Sequence, residues 1–299
     1  MTTHVAYADE SYTKHRYRSI GVISLPEHSE QALSGAISVI LEDSGITEFK
    51  WSKLRQARER FAAIKLVDLT VNRAIAQELR VDVLIWDTED SRHKIRGRDD
   101  EANLQRMYVQ LFRNVLQRRW PSKSSWRLHP DENSAMDWDS VQDLLDLAGL
   151  DLSIEGDLLS DKPFRLRLSR EFGITEIREV NSRNAPVCQV ADLFAGIGPF
   201  SHASFREYAS WCVEQSGQLA LQLGESEDTT GATALTASDA ERCEVLQHLD
   251  RTCKANKMRL GLSSSRGLKT HDPTFPINYW MYEPQRPDDK APVKGSRVD

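Results

Sequence analysis

Apolar residues in this chain fall in short β-branched runs that alternate with longer stretches of helical spacing, the signature of a chain that alternates strand and helix. Val5 to Ala8 and Ile20 to Leu25 predict two strands, and the polar, basic turn Thr13-Lys14-His15-Arg16 between them makes a hairpin. Glu30 to Leu41 predicts a helix ended by Ser44-Gly45. From Trp51 to Leu79 the residues Leu54, Ala57, Phe61, Ile64, Val71, Ile75 and Leu79 recur at helical spacing and predict one long amphipathic helix. Val81 to Trp86 reads as a buried strand that ends at Asp87.

Ala102 to Gln117 predicts a further helix, stopped by Trp120-Pro121. Trp126 to His129 follows as a strand ending at Pro130-Asp131, and Trp138 to Leu147 as a helix. Phe164 to Leu168 and Ile174 to Val180 have strand composition, with Asn181-Ser182-Arg183-Asn184 as a turn. Helix resumes at Val187 and carries Gln189 and Asp192 one turn apart on one face. Gly224 to Ser238, rich in Ser, Thr, Gly and acid, predicts a mobile loop, and Arg286 to Asp299 a disordered tail. The expected organisation is an α/β domain over residues 1–215, a C-terminal helical and loop extension over 216–285 packing on it, and the tail over 286–299.

Composition narrows the class. With 299 residues, 39% apolar and 28% charged, the chain has the make-up of a soluble globular protein able to bury a core. No apolar run reaches the roughly 18 residues that span a bilayer, and Met1-Thr2-Thr3-His4 does not begin a signal peptide, so a cytoplasmic protein with no membrane partner is expected. Cys188, Cys212, Cys243 and Cys253 have no zinc-ligand spacing and read as free, mostly buried thiols. A net charge of −6 argues against non-specific coating of nucleic acid. Basic residues nonetheless gather at Lys50, Lys53, Arg55, Arg58, Arg60, Lys65 and Arg73, and again at Arg92, His93, Lys94, Arg96 and Arg98. Acid collects in Glu132 to Asp161 and Glu225 to Glu244.

The candidate chemistry lies in the acids that follow strands. Asp9, Asp87 and Asp131 each stand at or just past a predicted strand end, and Asp192 lies on a late helix. In an open sheet such positions converge beyond the carboxyl ends of the strands even when they are distant in sequence. A strand-end Asp meeting a helix-borne Asp is how metal-dependent nucleases of the ribonuclease-H type build a site. Two divalent ions about 4 Å apart, one activating water and one stabilising a leaving oxygen, need several carboxylates around them. Oxygen ligands suit Mg²⁺ or Mn²⁺.

Three segments occur in a telling order: Tyr7-Ala8-Asp9-Glu10-Ser11, Glu48-Phe49-Lys50-Trp51-Ser52-Lys53-Leu54, and Asn181-Ser182 followed by Gln189-Val190-Ala191-Asp192-Leu193. Together they resemble the DUF3800 family of bacterial and phage proteins over most of residues 1–215. The resemblance implies a ribonuclease-H-like mixed sheet flanked by helices, and a metal-dependent nuclease-like site in which Asp9 and Asp192 are the surest members and Glu48 and Asp131 the next. Where the family reads D-E-S-G, this chain has Asp9-Glu10-Ser11-Tyr12, which removes a glycine but no acid.

Each candidate has a plainer reading. Glu10 should point away from Asp9 towards the surface. Glu48 can serve as ligand or base, or pair with Lys50 or Lys53. Asp87 and Asp131 compete for one place, strand order favouring the first and the resemblance the second. Asp68 sits at the register of Phe61 and Ile75, towards the edge of the apolar stripe. Trp51 reads as an anchor of the helix, and Gly196 and Gly198 as close-packing or helix-ending residues and not a phosphate loop. Lys50 and Lys53 are placed to meet substrate phosphates.

The leading expectation is a nuclease that hydrolyses phosphodiester bonds in RNA or DNA with two Mg²⁺ or Mn²⁺ ions. Its metals would be held by Asp9, Asp131 and Asp192, with Glu48 and Asp87 as further catalytic candidates. The alternatives are a non-catalytic nucleic-acid-binding or adaptor protein of a mobile-element or anti-phage system, with a protein partner, and a phosphotransfer or transposition role on the same scaffold. One fold hosts many functions, so fold does not choose among them.

Overall fold

A computed structural model describes residues 3–11, 15–90, 99–121, 123–132, 136–155, 165–215, 235–263 and 267–283. The basic stretch Arg92 to Arg98, most of the Gly224–Ser238 loop and the 286–299 tail lie outside the described residues.

The first two strands, β1 (Thr3–Ser11) and β2 (Tyr17–Pro26), form the expected antiparallel hairpin. Helix α1 (Glu27–Asp43) follows and ends at Ser44 and Gly45, which turns the chain in the left-handed region at φ +67° and donates to Glu42 O. The single helix expected from Trp51 to Leu79 is two elements. Trp51–Lys53 is one 3₁₀ turn, and α2 begins only at Ala57 and runs to Ile75. The buried face of α2 consists of Ala62, Ala63, Leu66, Val67, Thr70, Val71 and Ala74, so Phe61 and Ile75 are exposed, and Asp68 is half-buried and bonds His248 at 2.6 Å. The packed face therefore mixes alanines with Leu66, Val67 and Val71 and leaves Phe61 and Ile75 outside it.

Strand β3 (Arg80–Asp87), α3 (Asp100–Arg118), β4 (Ser124–Pro130) and α4 (Trp138–Ala148) come next. Asp99 and Asp137 cap the two helices, each accepting from a backbone N–H of the first turn. A strand the pattern did not predict, β5 (Leu150–Glu155), pairs with β6 (Arg165–Arg170), and β7 (Phe172–Ile177) follows. The chain continues through α5 (Pro186–Ala203), α6 (Phe205–Gln215), α7 (Ala237–Ala255), β8 (Leu260–Ser263), β9 (Gly267–Thr270) and β10 (Ile277–Met281). Ala237 and Ser238, read as loop from sequence, open α7, and Thr236 caps it.

The main sheet has the order β10-β3-β2-β1-β4-β7. β1, β2 and β3 run antiparallel, β4 and β7 add in parallel beyond β1, and β10 lies parallel to β3 at the other edge. This is a mixed sheet flanked by helices, as expected. Residues 235–283 are more than an extension laid on the surface, because β10 belongs to the sheet and α7 packs on α2.

Both sheet faces are buried, so alternate residues of β1 enter different cores. Val5 and Tyr7 face the layer of α1, α2, α5 and α7, whereas Ala6 and Ala8 face α3 and α4. Helix α5 lies directly on β1 and β2 and is buried around almost its whole circumference, as its apolar sequence requires. Pro186 occupies its first turn, where a missing N–H costs nothing. Pro199, inside the helix, leaves the carbonyl of Ala195 without its intrahelical donor, and the Ser19 hydroxyl donates to that carbonyl at 2.7 Å. A Cβ at Gly21 would stand 2.8 Å from Ala191 O, so helix and strand meet backbone to backbone.

Candidate metal centre

The strand register places the first two acids. β1 and β4 pair in parallel with Ala8 opposite Pro130, and the Asp131 N–H donates to Ala8 O at 2.8 Å. Asp131 is therefore level with Asp9 on the neighbouring strand. Asp9 follows Val5 and Tyr7 in the alternation and points to the α5 face, where Asp192 lies on the helix. Glu10 takes the opposite face. It is not the exposed bystander expected, but accepts a hydrogen bond from the hydroxyl of Tyr108 on α3.

The segment before the 3₁₀ turn enters this cluster as a short extended piece of backbone. Gln189 Oε1 accepts from Phe49 N–H at 2.7 Å, and Asp192 Oδ2 accepts from Trp51 N–H at 2.6 Å. The two α5 side chains, one turn apart, thus hold the backbone on either side of Lys50. Phe49 and Trp51 are buried in the core, and Lys50, extended at φ −140° and ψ 128°, turns its side chain to the acids. Its ammonium lies 2.9 Å from Asp131 Oδ2 and 3.5 Å from Asp9 Oδ2. Trp51 is the anchor expected: a Cβ at Gly196 would stand 2.1 Å from its indole, so only glycine lets the ring seat against α5.

Electrostatics follow from this crowding. Burial first, then the charge of Asp192, push the Asp9 carboxyl well above the ordinary carboxylate range, with Lys50 opposing. Burial pushes Asp192 up to about 6, against the Trp51 N–H and Lys50. Burial alone would lower Lys50, but Asp9, Asp131 and Asp192 outweigh it and raise its pKa, so the ammonium is charged at neutral pH. Cys188 completes the group. Asp9, Asp131 and Cys188 each bring a ligand atom within 4.8 Å of the others. Its thiol donates to Ala8 O at 3.6 Å, and burial raises its pKa well above the ordinary value. Among the described residues these three form a group close enough to share a cation, and the charge of Asp192 acts on Asp9 from α5.

Two proteins of Methanothermobacter thermautotrophicus are similar to this chain along nearly its whole length. The uncharacterized protein ORF2′ is 40% identical over 294 residues, covering 96% of this chain and 96% of the relative. The uncharacterized protein ORF2 is 39% identical over 297 residues, covering 96% of this chain and 97% of the relative. The chain belongs to the ORF2 family. No family model matches it. Among solved structures, the ribonuclease H2 from Pyrococcus horikoshii OT3 matches 84% of this chain and 100% of its own, with a TM-score of 0.38 and 14% identity. A chain of the PCNA:RNase HII complex from Archaeoglobus fulgidus matches 97% of this chain and 100% of its own, with a TM-score of 0.36 and 11% identity. Overlap this loose assigns neither a reaction nor a substrate to an ORF2-family chain.

The remaining predicted residues divide into a rim and an outlier. Glu48 sits at the rim, where its carboxylate takes Lys53 at 3.3 Å, Arg183 at 3.3 Å and the Ser182 hydroxyl at 3.2 Å. Burial works to raise its pKa, but these partners outweigh it and hold Glu48 below its ordinary value, which suits a structural anion better than a general base. Lys53 reaches Glu48 and is otherwise exposed, as is Arg183. Asp87 is outside the centre. Asp9 is level with Gly21 and Gly21 with Val83, so Asp87 lies four residues further along a strand that is not adjacent to β1. Its carboxylate is bound by Arg16 at 2.8 Å. The expectation that β3 would lie beside β1 fails because β4 takes that place. His129 bonds the Arg178 carbonyl and packs on Tyr7, a structural role.

Two participants were not among the predicted site residues, although Ser182 stands in one of the quoted segments. Ser182 bonds Asp131 Oδ1 through its N–H at 3.1 Å, Glu48 through its hydroxyl, and Gln189 Nε2 through its carbonyl at 2.8 Å, so it ties its own segment to Glu48 and to Asp131. Cys188 stands four residues before Asp192, hence on its side of the helix. That spacing was the available signal.

Proposed function

We propose that this ORF2-family protein is a metal-dependent nuclease that hydrolyses phosphodiester bonds in RNA or DNA, with Asp9, Asp131 and Asp192 holding Mg²⁺ or Mn²⁺. The observation that carries this reading is the imbalance of the centre: three acids, mostly withdrawn from water, act on the ammonium of Lys50, which is ion-paired to two of them. Such crowding raises the energy of the ionised acids, and a hard cation bound through oxygen relieves it. When bound, the cation activates water and stabilises the charge of the leaving oxygen.

The chain's own residues do the rest. Asp9 feels the charge of both other acids. Gln189 and the carboxylate of Asp192 fix the backbone that carries Lys50. Lys53 and Arg183, exposed at the rim, offer positive charge to the phosphates on either side of the scissile bond. A binding protein without turnover is the second reading, and the observation that favours it is the ion pairing of Lys50 with two of the acids.

The test is cleavage of single-stranded and RNA–DNA hybrid substrates with Mn²⁺ or Mg²⁺. Wild-type protein should cleave at least one, Asp9→Asn should fall below detection while remaining folded by circular dichroism, and Asp87→Asn should retain activity. Full cleavage by Asp9→Asn overturns the assignment. Substrate binding without cleavage by the wild type supports the second reading.

A further inference from the structure

Lys50 occupies the space a cation shared by Asp9 and Asp131 would need. Its ammonium lies between their Oδ2 atoms, at 3.5 and 2.9 Å, and is largely withdrawn from solvent. Nor is the side chain free to leave by a backbone shift. Gln189 and Asp192 grip the N–H groups of Phe49 and Trp51 at 2.7 and 2.6 Å, and those two side chains are locked in the core, Trp51 against Gly196. A side chain held this firmly behaves as a permanent part of the site. A divalent ion bridging Asp9 and Asp131 would have to sit against a charged ammonium at a few ångströms in a buried setting, where like-charge repulsion is poorly screened.

We infer that Lys50 is a resident cation that replaces one of the two divalent ions such a cluster of carboxylates would otherwise take, leaving a place for a single Mg²⁺ or Mn²⁺ at Asp9 and Asp192. The inference rests on the metal-dependent reading of the centre and sets its stoichiometry. It also gives Lys50 a different task from contacting substrate phosphate from outside: it neutralises the Asp131 side of the site, a fixed charge that needs no ion from solution.

The test uses Mn²⁺ alone, with bound ion counted by equilibrium dialysis and its spin coupling read by electron paramagnetic resonance on the full chain. Wild-type protein should bind one Mn²⁺ with an uncoupled spectrum. Lys50→Met, which keeps the side-chain length without the charge, should bind two with an exchange-coupled spectrum, and Lys50→Arg should return to one. Two coupled ions in the wild type overturn the inference and leave the metal-dependent reading standing, and this measurement needs no variant to fold. A stoichiometry that stays at one in folded Lys50→Met also overturns it. Absence of bound Mn²⁺ from all three proteins removes the metal-dependent reading and the inference with it.

Discussion

The two faces of the sheet partner their buried acids differently. On the α3 face, Glu10 takes the Tyr108 hydroxyl, and Asp82, fully buried, lies 3.4 Å from Arg119 and 3.9 Å from Arg80. Those guanidiniums are in turn held by the carbonyls of Pro273 and Phe275. Two guanidiniums flank the one carboxylate of Asp82, yet burial still outweighs them and holds that carboxyl above its ordinary value. On the α5 face, Asp9, Asp131 and Asp192 share the one ammonium of Lys50. The two clusters are nearly level across the sheet, since Asp82 aligns with Val22 and Val22 with Ala8. Their difference is therefore one of partners, not of depth. A buried acid supplied with cations is paired within the fold, whereas a group of acids short of cations leaves charge for a further cation to balance.

The comparison breaks most visibly at Asp82. Replacing Asp82 with Ala leaves two guanidiniums without their buried counter-ion and should destabilise the protein by about 3 kcal/mol in urea unfolding, with Mn²⁺ binding unchanged. A loss of Mn²⁺ affinity in the folded variant would erase the distinction between the faces.

Asp192 should respond in the opposite sense. Its folded pKa, about 6, lies above that of an unfolded aspartate, so the unfolded state ionises first. The metal-free protein is thus most stable with respect to this group at low pH and loses stability as pH rises through about 6. Asp192→Asn removes the penalty and keeps an oxygen for the Trp51 N–H. Metal-free variant protein should be more stable than wild type above this range, by on the order of 2 kcal/mol, with the gap closing towards pH 4. Thermal melts across pH check this, and a variant less stable than wild type at pH 8 would contradict it.

Much of this centre was legible in local pattern. Strand alternation places Asp9 with Val5 and Tyr7, helix spacing sets Gln189 and Asp192 on one face, and the flanking Phe49 and Trp51 turn Lys50 away from the core. What local pattern lacks is strand order. Asp87 and Asp131 look alike as strand-end acids, and only the parallel pairing of β4 with β1 brings Asp131 to Asp9 and leaves Asp87 with Arg16. The same limit hid β10, which reads as part of a helical and loop extension and whose partner β3 lies far back in the chain. On α2 the pattern misled because Ala62, Ala63 and Ala74 pack where larger residues were expected, and Phe61 and Ile75 stay outside.

The most direct test of the account is the position of Mn²⁺ by anomalous diffraction from crystals saturated with the ion. The account predicts a peak against Asp9 and Asp192, with Lys50 still bonded to Asp131. A saturated crystal with no peak at Asp9, or a peak in the place of a displaced Lys50 ammonium, would contradict it.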